Sequence, residues 1–425
     1  MRVLVIGGGG REHALIWKLK QSPRVREVFC VPGNGGIAGD ATCLPADLKS
    51  VDSLLRVAHS VEADLTVVGP EIPLSLGVVD EFQRRGLRIF GPTQAAARLE
   101  SSKSFAKEFM QRCNVPTAHF AICVNNKDVS DALPLFTPPV VVKADGLAAG
   151  KGVVIAQSRE EAERVAREML SHNFVGEAGN QVVLEEFLEG EEISFLLLSD
   201  GENIVPLVAS RDHKRIGDGD TGPNTGGMGA YSTDDLLEGE MQHWIVQHIA
   251  KPVVHGMKKE GTEYRGILYC GLMMTARGPM VLEFNCRFGD PETQAVLMRL
   301  ESDLVEALES TIHGGLHEGM LSWSKDASVC VVAAAGGYPG SFASGKEISG
   351  LEQAAEVAGV QVFHAGTSLR EGRLVTSGGR VLGVTARAGN LGLAVERAYT
   401  ALQHIHYEGI YYRKDIAARA LSGKA

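Results

Sequence analysis

The amino-acid sequence predicts a multidomain chain of two classes, α/β and α+β. It comprises an N-terminal α/β domain on a parallel sheet, a central unit with a different strand order, and a C-terminal module of mixed strands. Three observations predict it. Short apolar strands alternate with helices over residues 1–102, the order of a parallel sheet covered by helices on both faces. Near residue 118 the order becomes strand, glycine loop, strand, helix, strand, strand. The chain has 425 residues, and at roughly 100–200 residues per domain that implies two to four domains.

The first strand is the apolar run 3–6. Gly7 to Gly10 follow it, and a helix begins near Arg11 and runs to Gln21. Further apolar strands fall at 28–31, 65–68 and 88–90 with helices between them. Ser101, Ser102 and Lys103 open a helix to about Arg112, a serine supplying the N-cap acceptor. Strands at 140–144 and 152–156 flank a glycine loop. Ser158 with Glu161 has capping-box spacing for a helix to Ser171. Strands follow at 182–186, 192–198, 204–207, 267–274 and 280–285, with long helices over about 238–260 and 303–313. A strand at 328–335 opens the last module, which closes on a helix near 391–405.

Hydrophobic residues make up 44% of the chain and charged residues 22%, with a net charge of −10. That balance argues against a general nucleic-acid binder, whose phosphate affinity rests on surplus Lys and Arg. The N-terminal apolar run is too short for a signal-peptide core. The longest apolar stretch, 329–335, is far below the roughly 20 residues that span a bilayer. Seven cysteines lie scattered without a C-x-x-C pair, the usage of reduced thiols in a cytoplasmic protein. Fifty residues are glycine, well above the average of roughly 7%. They cluster, which reads as functional loops.

The first cluster, Gly7-Gly8-Gly9-Gly10-Arg11-Glu12-His13, turns a strand into a helix. Glycines let a phosphate approach the backbone, and the helix start offers free N–H donors. A dinucleotide fingerprint needs a third glycine and an acid about 20 residues on. Position 12 is Glu, and the second strand ends in Val31-Pro32-Gly33-Asn34 without an acid. Arg11 at the helix start suits a phosphomonoester; a tight structural turn is the plain alternative.

The second stretch runs from Lys143 at the end of an apolar strand through Gly146, Gly150, Lys151 and Gly152. A P-loop needs four residues between its glycines, a Ser or Thr after the lysine, and a following helix. Here three residues separate Gly146 from Gly150, Gly152 follows Lys151, and a strand comes next. The stretch therefore reads as a glycine hairpin beside a strand lysine. An unpaired ammonium there would be costly, and a triphosphate would pair it. The acidic run Glu185-Glu186-Phe187-Leu188-Glu189-Gly190-Glu191-Glu192 is ordinarily a solvated face. It gains meaning as a hinge whose carboxylates accept from an adenine amine and ribose hydroxyls.

The sharpest stretch is Glu283-Phe284-Asn285-Cys286-Arg287-Phe288-Gly289-Asp290-Pro291-Glu292-Thr293-Gln294. Alternate strand residues share a face, so Glu283, Asn285 and Arg287 point together while Phe284 and Cys286 face the core. Two oxygen ligands followed by a cation suit magnesium and a transferring phosphoryl group. Residues 212–231, from Asp212, His213, Lys214 and Arg215 to Tyr231, show neither helical nor strand period. They read as a long surface loop of the kind that carries function. The histidines show no zinc spacing, and no nucleophile elbow or catalytic cysteine motif appears.

Taken together, strand lysine, glycine hairpin, acidic hinge and E-x-N strand resemble the ATP-grasp ligases. Four stretches narrow the resemblance to the glycinamide ribonucleotide synthetase family: GGGGREHA at 7–14, KADGLAAGKGV at 143–153, DHKRIGDGDTGPNTGGMGAYS at 212–232 and EFNCRFGDPETQ at 283–294. It runs essentially end to end, and RFGDPE is highly specific. The family commonly carries Asn or Ser at position 8, where this chain has Gly8; that relaxes the turn without removing a donor. The resemblance implies an N-terminal substrate-binding domain at 1–102, an ATP-grasp core at 103–122 and 191–326, a mobile lid at 123–190 and a C-terminal domain at 327–425. It implies ATP, Mg²⁺ (or Mn²⁺), glycine and 5-phosphoribosylamine, with no nucleic-acid or membrane partner, in a chain expected to act as a monomer. By position, Lys103 and Lys143 hold phosphates together with Gly150, Lys151 and Gly152. Glu185 and Phe187 hold adenine, Glu192 ribose, and Glu283 and Asn285 the metal.

The implied reaction has two steps. Glycine's carboxylate takes the γ-phosphoryl group, and the sugar amine then attacks the glycyl phosphate. Such a transfer needs positioning and charge neutralisation, which Lys, Arg, Glu and Asn supply without a protein nucleophile. Arg287 stabilises the transferring group, Asp290 takes the glycine ammonium, and Lys143 acts beside them. Gly9, Gly10, Arg11, Asn34, Asp212 and Lys214 are assigned to the remaining substrate contacts, the first three to the sugar phosphate. The lid excludes water, which would hydrolyse an acyl phosphate. Three other readings stay open on the residues: a sister ATP-grasp reaction on another phosphoribosyl substrate, a nicotinamide oxidoreductase, and a non-catalytic nucleotide sensor. Competition by glycine, the missing fingerprint, and glycine-dependent ADP release separate them.

Overall fold

The computed structural model describes residues 1–147, 152–171 and 181–423. Its first sheet is parallel throughout, in the order Thr42–Cys43, Glu27–Pro32, Arg2–Gly7, Leu65–Val68, Ile89–Phe90. The first strand in the chain lies at the centre. Val3, Leu4, Val5 and Ile6 have no exposed surface, as expected of a parallel strand covered on both faces. Val3 and Val5 pack with the helix Gly10–Leu19, whereas Leu4 and Ile6 pack with the helices Val51–Ser60 and Val78–Arg84.

The lysine unit is a separate antiparallel sheet in the order Phe120–Cys123, Val182–Glu186, Val140–Ala144, Val153–Ala156. Helices Asn126–Ala132 and Arg159–Leu170 cover it and close a core of its own. The strand Phe120–Cys123 is one that sequence reasoning missed, although 120–124 is an apolar run; only Cys123 of its four residues is fully buried. It extends this sheet upstream of residue 123. Ser158 caps its helix by accepting from Glu161 N at 3.2 Å. The Glu161 carboxylate accepts from Gln157 N at 2.8 Å, one residue before the donor a capping box uses.

A second antiparallel sheet runs Ile204–Pro206, Glu191–Asp200, Arg265–Thr275, Gly278–Asn285. The helix expected over 238–260 is three segments: Gly239–Ile245, a π-helical turn Val246–Ala250, and Lys251–Lys259. Pro252 explains the interruption, since it has no N–H to give the preceding turn.

The C-terminal sheet overturns the surface-loop expectation for 212–231. Its order is Arg211–Asp212, Gly229–Ser232, Ala327–Ala334, Arg380–Ala388, Val360–His364. Two strands from the middle of the chain thus complete the last sheet, and Arg215–Gly217 pairs with Thr221–Asn224 as a hairpin between them. Strands of two to four residues are too short to show an alternation. The helix Glu292–Arg299 joins the parts: all eight residues are buried, between the helix Gly10–Leu19 and the C-terminal sheet. Arg299, without exposed surface, donates to Ser232 Oγ at 2.9 Å and Ser324 O at 3.0 Å, and pairs with Asp234. Among the described residues, no helix is long and apolar enough to cross a membrane.

Candidate active site

A cavity of about 490 Å³ opens where these units meet. Arg11, Glu71 and Glu100 reach it from the N-terminal side, Lys143 and Glu185 from the lysine sheet, and Glu283 and Asn285 from the central sheet. Asp212 and Lys214 enter from the hairpin region, Tyr338 and Arg380 from the C-terminal module.

Lysines dominate one end. Ser102 caps the helix Lys103–Arg112, which sets Lys103 and Lys107 one turn apart on the cavity. Lys103 Nζ donates to Gly146 O at 2.9 Å. Lys143 Nζ donates to Leu282 O at 3.1 Å and lies 2.9 Å from Glu185. Lys107 meets the other oxygen of Glu185 at 2.8 Å. Burial alone would push Glu185 up, but Lys143 and Lys107 outweigh it and hold the carboxyl below its ordinary value. Burial pushes Lys107 down to about 8 against the pull of Glu185. The adenine role expected of the Glu185 side chain does not fit this geometry, since both oxygens face buried ammonium groups. Neither Phe187 nor Glu192 lines the cavity, and Glu192 is paired with Lys214, which does.

On the next strand, Gly278–Asn285, Glu283 and Asn285 line the cavity, and Arg287 joins them from just beyond the strand end, while Phe284 is 2% and Cys286 1% exposed. Burial raises Glu283, but Lys214, at 3.8 Å, with Lys143 and Lys103 keeps it below its ordinary value as an anion. An anionic carboxylate beside an amide oxygen fits a hard divalent cation that keeps waters and phosphate oxygens as its other ligands. Arg287 is held by the N-terminal domain: Glu100 at 2.9 Å and Glu71 at 3.3 Å. Its guanidinium also donates to Phe288 O at 3.2 Å.

The glycine turn has a different employment from the one its composition suggests. The Glu12 carboxylate folds back onto the helix start, accepting from Gly9 N at 2.6 Å and from Arg11 Nε at 2.6 Å. A Cβ on Gly69 would lie 2.0 Å from Glu12 Oε1, and one on Gly7, whose φ is +127°, 2.5 Å from Glu12 Cγ. The glycines therefore make room for Glu12. A Cβ on Gly8 would meet Gly33 O at 2.4 Å, so the 33–36 loop closes directly on the turn. Asp290 sits on the same helix start, 3.4 Å from where a Gly9 Cβ would stand. The assignment of Gly9 and Gly10 to a phosphate is corrected: the Gly9 N–H is already taken by the Glu12 carboxylate, and neither glycine lines the cavity. Arg11 does line it, with Nη1 donating to Phe288 O at 3.0 Å.

Asn34 is likewise corrected from ligand to staple. Its amide donates to Gly8 O and His364 O, and its oxygen accepts from Gly36 N and Ile37 N, at 2.8–3.0 Å; all four positions of the side-chain amide are used. Asp290 lines the cavity beside Arg380 at 3.2 Å and accepts from Gln294 Nε2 at 2.8 Å. Gly152 lines the cavity, whereas Gly150 and Lys151 lie outside the described residues.

Sequence reasoning missed Lys107, Tyr338 and Arg380, and passed over Glu71 and Glu100. The one-turn spacing from Lys103 was an available signal for Lys107. Arg380 had none: it donates to Gly226 O at 2.6 Å and Asp290 O at 2.7 Å across the mouth of the cavity. Only the strand order of the last sheet brings it there.

Comparison with known proteins matches this arrangement along the whole chain. The profiles of the phosphoribosylglycinamide synthetase N domain, ATP-grasp (A) domain and C domain match residues 1–100, 101–293 and 328–419. The chain is 50% identical over 428 residues to phosphoribosylamine–glycine ligase of Pseudomonas aeruginosa, with 99% of each chain covered. The same figures hold for that of Escherichia coli O6:H1. The crystal structure of phosphoribosylamine–glycine ligase from Thermotoga maritima superposes with a TM-score of 0.87 at 35% identity, over 98% of this chain and 100% of that one. A biotin carboxylase from Campylobacter jejuni shares the fold at 14% identity and a TM-score of 0.72, over 97% of this chain and 92% of that one.

Proposed function

The chain belongs to the phosphoribosylamine–glycine ligase family, and from that premise we propose how its cavity divides the work. The enzyme is an ATP-dependent carbon–nitrogen ligase of de novo purine biosynthesis, joining glycine to 5-phosphoribosylamine. It uses ATP with a divalent metal, for which we assign magnesium. The seven free cysteines suit a cytoplasmic enzyme. The lysine sheet, which begins with the strand Phe120–Cys123 and not at residue 123, serves as the mobile lid over the central sheet, with the N-terminal domain at 1–102 and a C-terminal domain that opens at residue 327 and is completed by Arg211–Asp212 and Gly229–Ser232.

Lys103 and Lys143 hold the nucleotide phosphates, and Glu185 with Lys107 fixes the direction of Lys143. Glu283 and Asn285 hold the metal, which when bound neutralises charge on the transferring phosphoryl group. Arg287, aimed by Glu71 and Glu100, stabilises the same group. Glycine's carboxylate attacks the γ-phosphorus, and ADP leaves. The amine of phosphoribosylamine then adds to the carbonyl of glycyl phosphate, and phosphate leaves. Lys214, Arg11 and Asp290 line the same cavity and serve the two smaller substrates.

The observation that carries this reading is the coupling of Lys143 to the metal strand, its Nζ donating to Leu282 O beside Glu283. A lysine for phosphates and a carboxylate for their metal are thereby held in one cavity at a fixed relation, which is what phosphoryl transfer by positioning demands. Purified enzyme with ATP, Mg²⁺, glycine and freshly made phosphoribosylamine should release ADP and the amide in equal amounts. ADP release that persists without glycine would overturn the reading.

A further inference from the structure

The second step of this ligation needs a proton acceptor, because an amine that adds to an acyl phosphate carries a proton that its amide product does not. Seven carboxyl side chains line the cavity among the described residues, and six are engaged. Glu71 and Glu100 hold Arg287. Glu185 lies between Lys107 and Lys143, and Glu283 faces Lys214 on the metal strand. Asp290 has Arg380 and Gln294. Glu292 accepts from Tyr269 OH at 2.6 Å and from Ser194 Oγ at 3.3 Å.

Asp212 is the seventh. Its Oδ1 is buried and has no hydrogen-bond partner among the described residues. The backbone of Gly227, at φ +110°, packs close to that side chain: a Cβ there would lie 2.8 Å from Asp212 Oδ1 and 2.4 Å from Pro291 Cδ, so the carboxyl is held in place at the cavity wall. A buried, unpaired acceptor costs about 1–3 kcal/mol, a cost that a substrate donor would remove.

We propose that Asp212 is the general base of amide formation, a role that rests on the acyl-phosphate reading above. The amine nitrogen bonds to the acyl carbon of glycyl phosphate, and its proton passes to Asp212 Oδ1. The carbon–oxygen bond to phosphate then breaks, and its electron pair leaves with inorganic phosphate. Asp212 returns the proton to that phosphate or to water. Its surroundings raise its affinity for a proton above that of an ordinary carboxylate. Burial and then Glu292 push its carboxyl well above the ordinary range, and Glu192 on the neighbouring strand adds to the rise. Lys214 and Arg380 pull it down. Tyr269 and Cys330, each itself pushed up by burial, complete the ionisable groups around it.

Asp212→Asn keeps the shape and removes the base. In a rapid-quench experiment the variant should release its first equivalent of ADP at nearly the wild-type rate, while amide formation falls roughly 10²- to 10⁴-fold. In Asp212→Ala, added formate should restore part of the amide formation and leave the ADP burst unchanged. ADP and amide falling together in Asp212→Asn, or formate having no effect on Asp212→Ala, would overturn the proposal. Transfer of ¹⁸O from the glycine carboxylate to phosphate by the wild-type enzyme tests the underlying acyl-phosphate reading separately. Its failure would sink both, whereas its success with a coupled loss in the variants would sink the role of Asp212 alone.

Discussion

Replacing Glu185 with glutamine should destabilise the enzyme in a manner that depends on pH. The carboxylate is 1% exposed and sits 2.8 Å from Lys107 and 2.9 Å from Lys143, themselves 2% and 6% exposed. An amide in its place leaves two buried ammonium groups without a counter-charge, and removing one partner of a buried pair costs about 3–5 kcal/mol. The sign with pH follows from the shifts. Glu185 has a folded pKa below its ordinary 4.5, so its contribution is fully present above that value and is lost as the pH falls through the folded one. Lys107 is already down at about 8 in the native protein, and without Glu185 it falls further. The folded variant then sheds that proton while its unfolded chain keeps it, so its stability climbs with pH more steeply than that of the wild type. Urea unfolding should therefore show a gap of about 3–5 kcal/mol at neutral pH that narrows both in acid and in alkali. A gap that stays constant with pH, or that is below about 1 kcal/mol, as at a surface pair, would refute the argument. Unchanged stability with a raised KM for ATP would return Glu185 to an adenine role.

Glu283→Gln should lower amide formation by roughly 10²-fold or more, the several kcal/mol of charge stabilisation a metal supplies, with the melting curve preserved. Near-wild-type turnover at saturating Mg²⁺ would remove Glu283 from the metal. Gly69→Ala should cost about 1–3 kcal/mol in urea unfolding as overpacking does, because the new methyl would lie 2.0 Å from Glu12 Oε1; a neutral outcome would mean that Glu12 moves freely. Hydrogen exchange in the strands Val140–Ala144 and Val153–Ala156 should slow on adding MgATP, as expected of a lid that nucleotide orders, and equal rates with and without nucleotide would contradict that motion.

The parts legible in the sequence are those with a local period. Buried strand runs such as 3–6 and 140–144 show as apolar blocks, and Glu283 and Asn285 share a face because strand geometry gives them no choice, with Arg287 reaching the same cavity just beyond the strand end at Asn285. The parts that were not legible depend on long-range packing. The helix Glu292–Arg299 is buried on every side, so Glu292, Gln294 and Arg299 carry no amphipathic signal although they form the hub of the fold. The strands Arg211–Asp212 and Gly229–Ser232 join a sheet whose other members lie beyond residue 326, and Arg380 reaches the cavity only through that topology. The glycine turn misled for a different reason. Gly7 looks like phosphate clearance but, with Gly69, makes room for a carboxylate of the same chain, and composition does not tell a bound anion from a built-in one.

The central claim is that phosphoryl transfer to glycine precedes amide formation in this one cavity. Glycine labelled with ¹⁸O in its carboxylate measures it directly, by mass analysis of the phosphate formed during a single turnover with MgATP and phosphoribosylamine. One labelled oxygen per phosphate is the predicted result, because the acyl phosphate's bridging oxygen comes from glycine and leaves with phosphorus. Phosphate that emerges without label, alongside normal amide product, would contradict the account.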